Sequence, residues 1–252
     1  MTKSIGDMPR IIDSHTHIWL TQAREHRRML HEAVEQVPLR AIWVSGLKDD
    51  YPDNATVAAI NDEVAVFLRE CSCARGFAYL NPRHGEAALD ELRRSIDLGF
   101  VGVKLWTATL ADDPLNFPIF EAAIENSMPV LLHTFDKTVG QHPHESRAHN
   151  VAAAAERYPE CTFIMAHISG KFIIGSGAAQ PHPNLYVDIC GSFGERGMVD
   201  HAVKTLGARR VLFGTDMPAS DIYHNLGKVL GANLTADERE LILWKNAQKI
   251  LK

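Results

Sequence analysis

Two histidines one residue apart, His15 and His17 in "IIDSHTHIWL", interrupt a run that otherwise reads as a strand. In an extended chain successive side chains point to opposite faces. Both imidazoles therefore project one way with Asp13 behind them, while Ser14 and Thr16 point the other. Two imidazoles on one face can hold a metal ion, and they can equally form a hydrogen-bonded polar patch. Four more polar residues fall in apolar runs further along: Lys104 in "FVGVKLW", His133 in "PVLLHT", His167 in "TFIMAHI" and Asp216 in "RVLFGTD". The chemistry such a set serves is attack by water. A divalent ion on neutral imidazoles and a carboxylate lowers the pKa of bound water from about 16 to about 7.

These residues need a frame that brings distant segments to one place. Strand-like runs cover 11–17, 40–46, 74–80, 100–106, 129–134, 162–168, 185–191 and 210–216, with helical stretches between several of them. That alternation implies a parallel sheet, and eight strands imply a (β/α)8 barrel, an α/β fold. In such a barrel catalytic groups sit at the C-terminal ends of the strands. His15, His17, Lys104, His133, His167 and Asp216 all fall at that end. Crossover helices are expected at 54–71, where Asn54 can cap, at 85–99, which ends on Gly99, and at 146–159. The connection "SGKFIIGSGAAQPHPN" reads as mostly loop. The tail from Leu234 onward reads as a capped amphipathic helix packed outside the barrel.

The 252 residues, 46% of them hydrophobic, suffice for one barrel domain spanning 1–252. A net charge of −5 and a pI near 6.2 offer no basic footprint for nucleic acid or a membrane surface. No apolar run has the length of a membrane span, and "MTKSIGDMPR" has no leader-like core. A cytoplasmic protein with a small-molecule partner is expected, and a homo-oligomer is compatible with this. Cys71, Cys73, Cys161 and Cys190 fit a reducing compartment without a disulfide, the last two reading as small core residues.

In order along the chain, "DSHTHIW", "GFAYLNPRHGEAALDELRR", "GFVGVKLW", "PVLLHT", "FIMAHISG", "NLYVDICGS", "VLFGTDMP" and "NAQKIL" resemble the amidohydrolase superfamily, and within it the amidohydrolase-2 branch of barrel hydrolases and decarboxylases. The resemblance implies that His15, His17, His133 and Asp216 bind a divalent ion. It makes His167 either a ligand of a second ion or an unligated acid/base and electrophile. Lys104 stands where binuclear members carry a carboxylated lysine; as a plain ammonium it would oppose a second cation. One ion is favoured and two arise if Lys104 is carboxylated, with zinc expected from the N/O donor set. Asp188 in "LYVDICG" reads as an orienting or buried structural acid.

The function expected first is a metal-dependent hydrolase acting on an amide, ester or lactone carbonyl of a small anionic substrate. Asp216 would orient and deprotonate the water and His167 would polarise the substrate oxygen. The alternative is a non-oxidative decarboxylase of an aromatic or unsaturated carboxylate. A second alternative is a barrel that binds metal without catalysis. For substrate binding, Trp106 is expected to form an apolar wall. One of Lys137 or Arg147, in the long polar segment after His133, is expected to meet an anionic group.

Overall fold

β1 (Ile11–Trp19) is buried along almost its whole length, as a strand covered on both faces must be. It pairs in parallel with β2 (Leu39–Leu47). β3 (Ala74–Tyr79), β4 (Gly102–Leu105), β5 (Val130–Leu132), β6 (Phe163–Met165), β7 (Leu185–Asp188) and β8 (Val211–Leu212) follow in chain order as one parallel eight-stranded sheet. The segment after β8 returns to β1 and closes the ring: Ser14 N donates to Phe213 O at 3.0 Å, Asp216 N to His15 O at 2.7 Å and His17 N to Met217 O at 2.7 Å. The fold is a TIM barrel, as the alternation of elements implied. The structure, a computed structural model, describes residues 10–251. The segment "MTKSIGDMP", read above for a leader, lies outside the described residues. No helix among the described residues is long and apolar enough to cross a membrane.

The helices ring the barrel: α1 (Ala23–Gln36), α2 (Asn54–Glu70), α3 (Glu86–Asp97), α4 (Phe117–Glu125), α5 (Ala148–Arg157), α6 (Phe172–Ala179), α7 (Met198–Leu206) and α8 (Ile222–Leu230). The cap of α2 is Asp53 rather than Asn54, because its carboxylate accepts from Thr56 N at 2.8 Å. The stretch read as a loop after strand six forms α6. Its sequence, FIIGSGAA, is nearly apolar throughout and so shows no stripe; it packs between α5 and α7, and that packing makes the helix. The tail forms α9 (Ala236–Glu240), capped reciprocally by Thr235 and Glu238, then a π turn and α10 (Asn246–Ile250). It lies outside the barrel at the β8–β1 seam, where Phe213 N donates to Ile242 O at 3.0 Å.

Large apolar side chains fill one part of the barrel interior. Trp43 stacks on Phe77 at 5.0 Å in a cluster with Ile12, Leu131, Ile164 and Leu212. Gly102 has to be glycine for this: a Cβ there would lie 2.4 Å from the Phe77 ring. The packed floor leaves the polar residues to the opposite, C-terminal end of the strands.

Candidate metal centre and barrel mouth

His15 and His17 leave β1 on one face, as strand alternation requires, and their Nε2 atoms stand 2.9 Å apart. His15 Nδ1–H donates to Asp188 Oδ2 at 2.8 Å, so the His15 Nε2 carries a bare lone pair. His17 Nδ1 is held by Ser45 Oγ at 2.9 Å. Asp216 Oδ1 lies 3.3 Å from His17 Nε2 and 3.8 Å from His15 Nε2. Donor atoms around one tetrahedral ion with ~2.05 Å bonds stand ~3.3 Å apart, which matches this spacing. Two facing ring nitrogens beside a carboxylate form an arrangement that a cation relieves. His15, His17 and Asp216 therefore fit a divalent ion. Burial lowers the pKa of both histidines, keeping them in the neutral form that binds metal. Burial would raise Asp216, but its hydrogen bond with His17 leads the interactions with the neighbouring histidines that hold it below the usual carboxylate range.

The backbone around this group is specialised. Asp216 sits at φ 66°, and His167, Ile168 and Ser169 form a run at φ 58°, 43° and 61°. Such left-handed conformations cost ~1–3 kcal/mol each for residues with a side chain. The run is held by His167 N donating to Asp188 Oδ1 at 2.8 Å and by Asp136 N donating to Ser169 O at 2.7 Å. It ends β6 at Met165, short of the strand expected through 168, and carries His167 to the mouth. Asp188 thus serves twice, orienting His15 through one oxygen and His167 through the other. Asp13 does not line a deeper layer of the interior: it clamps the seam, accepting from Thr215 Oγ1 at 2.6 Å and Thr215 N at 3.0 Å. Burial raises its pKa to about 7.

His133 lies beside this group. Its Nε2 pairs with Glu145 Oε1 at 2.9 Å; Glu145 Oε2 in turn meets Lys137 Nζ at 2.8 Å and accepts from Gln141 Nε2 at 3.2 Å. The charge of Lys137 is thereby spent on Glu145. Arg147 is exposed at the start of α5. Lys104 Nζ is fully buried, 3.3 Å from His15 Nε2, and burial pushes it down to about 8. Trp106 packs edge-to-face against Trp19 at 5.4 Å and against His133 at 6.4 Å. The rings continue from His133 to His167 at 5.1 Å, from His167 to Phe135 at 5.6 Å and from Phe135 to Phe193 at 5.6 Å. Sequence reasoning missed Trp19, Phe135, Phe193 and Ser45, and took Cys190 for a core residue. Cys190 is buried, but its Sγ stands 3.1 Å from His15 Nδ1 and 3.2 Å from His167 Nδ1. Its place two residues after Asp188, on the same strand face, was the available signal. All four thiols are free; those of Cys71 and Cys73 lie 3.4 Å apart.

A barrel with a histidine pair on its first strand and an aspartate after its last, converging at the C-terminal mouth, is the framework of a metal-dependent enzyme. The profile of the Amidohydrolase family (Amidohydro_2) matches residues 12–252, and the chain belongs to that family. It is 25% identical over 290 residues to a gamma-resorcylate decarboxylase from Polaromonas sp. (strain JS666), covering 92% of this chain and 87% of that one. In fold it is similar to 2,6-dihydroxybenzoate decarboxylase from Rhizobium, with a TM-score of 0.75, 18% identity and coverage of 97% and 98%. It is likewise similar to a dihydroxybenzoic acid decarboxylase from Polaromonas sp. JS666 with bound manganese, with a TM-score of 0.74, 19% identity and 97% coverage of each chain. These relatives correct the hydrolase first expected, because they are decarboxylases. The physical reason is that histidines and an aspartate around an ion serve either reaction, so the donor set in the sequence does not distinguish them.

Proposed function

We propose that the protein is a divalent-metal-dependent, non-oxidative decarboxylase of a small aromatic hydroxycarboxylate. The observation that carries this is the arc of rings from Trp19 to Phe193 standing around the His15, His17 and Asp216 donors. A planar aromatic substrate packs against such edges and faces, and the decarboxylase relatives act on substrates of that kind. One ion is favoured. The donors of His15, His17 and Asp216 lie together as one group, while His133 Nε2 is turned to Glu145. Two imidazoles and a carboxylate suit zinc and manganese alike; loading with each and measuring turnover separates them.

The bound ion would supply positive charge to hold the substrate carboxylate and its neighbouring oxygen. Asp216, with 18% of its side chain exposed at the mouth, reaches both the donor group and the substrate. It takes up a proton from water and delivers it to the ring carbon that bears the carboxylate. The carbon–carboxylate bond then breaks, its electron pair returns to the ring and carbon dioxide leaves, so one proton is consumed per turnover. His167, lowered to about 4 by burial, stays neutral and donates through its ring to the substrate oxygen on which charge builds. Trp106 and Phe135 hold the ring plane. Retention of all these groups argues against a barrel without catalysis.

The test is incubation of manganese- or zinc-loaded protein with 2,6-dihydroxybenzoate and 5-carboxyvanillate, followed by carbon dioxide release and loss of ring absorbance. Metal-dependent release from such a compound is expected. Its absence from a panel of ortho-hydroxy aromatic acids, with hydrolysis of esters or lactones instead, would overturn the reading.

A further inference from the structure

Cys190 has no part in the chemistry above, yet it is buried between two site histidines. His15 Nδ1 already gives its hydrogen to Asp188 Oδ2 at 2.8 Å. It therefore cannot accept one, although Cys190 Sγ is 3.1 Å away. Two acceptors stand near the Cys190 S–H, the Asp188 carboxylate and His167 Nδ1. Asp188 already accepts from His15 Nδ1, His167 N and Cys190 N, whereas His167 Nδ1, at 3.2 Å, has no other donor among the described residues. Among the described residues Cys190 Sγ is the hydrogen-bond partner of the His167 ring, and no protein group meets His167 Nε2. The neighbouring residue adds a steric bound. Gly191 sits at φ 102°, and a Cβ on it would lie 3.3 Å from His167 Nδ1, so the backbone next to Cys190 runs close along this side of the ring.

We propose that Cys190 is a positioning residue: its thiol donates to His167 Nδ1, fixing the ring and placing the only imidazole hydrogen on Nε2, toward the mouth. Which nitrogen of a neutral imidazole carries the hydrogen is set by the bond that the other nitrogen makes. With Nδ1 occupied by an incoming S–H, His167 is a hydrogen-bond donor to substrate oxygen and not a base. The proposal rests on the decarboxylase reading only for the consequence of this for turnover. The tautomer itself is a property of the resting protein.

The experiment uses metal-loaded full-length protein with 15N-labelled histidine. In the parent and in Cys190→Ser, whose hydroxyl also donates, His167 should show the Nε2–H pattern of ring shifts. In Cys190→Ala it should move to a mixture of tautomers. An unchanged His167 pattern in Cys190→Ala, or the Nδ1–H form in the parent, would overturn the assignment whatever the reaction proves to be. On an aromatic carboxylate that the parent decarboxylates, Cys190→Ala should lose about 10–100-fold in kcat/KM, the range for residues that orient a site histidine. Cys190→Ser should recover most of it, and metal content should not change. Equal losses in both variants would also overturn it. Cobalt-loaded parent gives the last readout. It should lack a thiolate-to-metal charge-transfer band, whereas a band that disappears in Cys190→Ala would make Cys190 a ligand and remove the proposed role. If the tautomer results hold while no aromatic acid is decarboxylated, the fault lies in the proposed reaction and not in Cys190.

Discussion

The two halves of the barrel mouth are built differently. On the β1–β8 side every candidate metal donor is fixed by strand or near-strand bonds: His15 by Asp188, His17 by Ser45, and Asp216 by its backbone N–H on His15 O. On the β5–β6 side His133 is fixed by Glu145, which arrives from a loop twelve residues on and is itself held by Lys137 and Gln141. His167 rides on a strained left-handed turn. In the first half even Asp216, which follows β8 in a left-handed conformation, is tied by its backbone to β1, which suits an ion whose donors must be placed to a few tenths of an ångström. The second half depends on a loop that borders the space above the ion, where a substrate must enter and leave.

The strongest way to break this division is to empty the first half. His15→Ala combined with His17→Ala should leave the barrel folded, by circular dichroism, with metal reduced from about one equivalent to almost none and activity down by about 10³-fold or more. Full metal content by elemental analysis would show that the ion lies elsewhere. A milder cut tests orientation instead of ligation. Asp188→Asn keeps the shape but loses the charge that holds His15 Nδ1–H, and should weaken metal affinity by about 10–100-fold, read by competition with a chelator. An unchanged affinity would reduce Asp188 to holding the His167 turn.

The same division explains what the sequence could show. The projection of His15 and His17 to one side follows from strand alternation alone, and the eight strand ends follow from the periodic recurrence of apolar runs, so the rigid half was legible. Asp13 was misplaced because β1 shifts register between Asp13 and Thr16, and a bulge breaks the parity on which its depth was argued. The other half was legible only in part. The meeting of Glu145 with His133 depends on the path of a long loop. Three successive non-glycine residues in the left-handed region at His167 carry no composition signal, because tertiary bonds enforce them. The apolar neighbours of Cys190 hid its contact with His167. The sequence held decarboxylation only as the alternative, for a different reason: the aromatic arc that supports the proposed reaction is assembled from Trp19, Trp106, Phe135 and Phe193, which lie on four separate segments and only the fold brings together.

The smallest effect expected concerns Glu145, and it sharpens the contrast by leaving the metal alone. Burial would raise this carboxyl, but its bonds to His133 and Lys137 outweigh that and bring it from 4.5 down to about 2. A folded-state value below the unfolded one means that the ionised form stabilises the fold. That contribution is fully present above about pH 4.5 and is lost as pH falls from there through about 2. Lys137 is 38% exposed, so solvent screens its share, and the buried bonds of Glu145 are left to contribute about 1–2 kcal/mol. Glu145→Gln should therefore unfold more readily than the parent in urea at pH 7, with the gap closing between pH 4.5 and 2.5, and its metal affinity should match the parent's. A gap independent of pH would show that the Glu145 charge does not stabilise the loop. A large fall in metal affinity would show instead that His133 belongs to the ion after all, and that the two halves of the mouth form one coordination site.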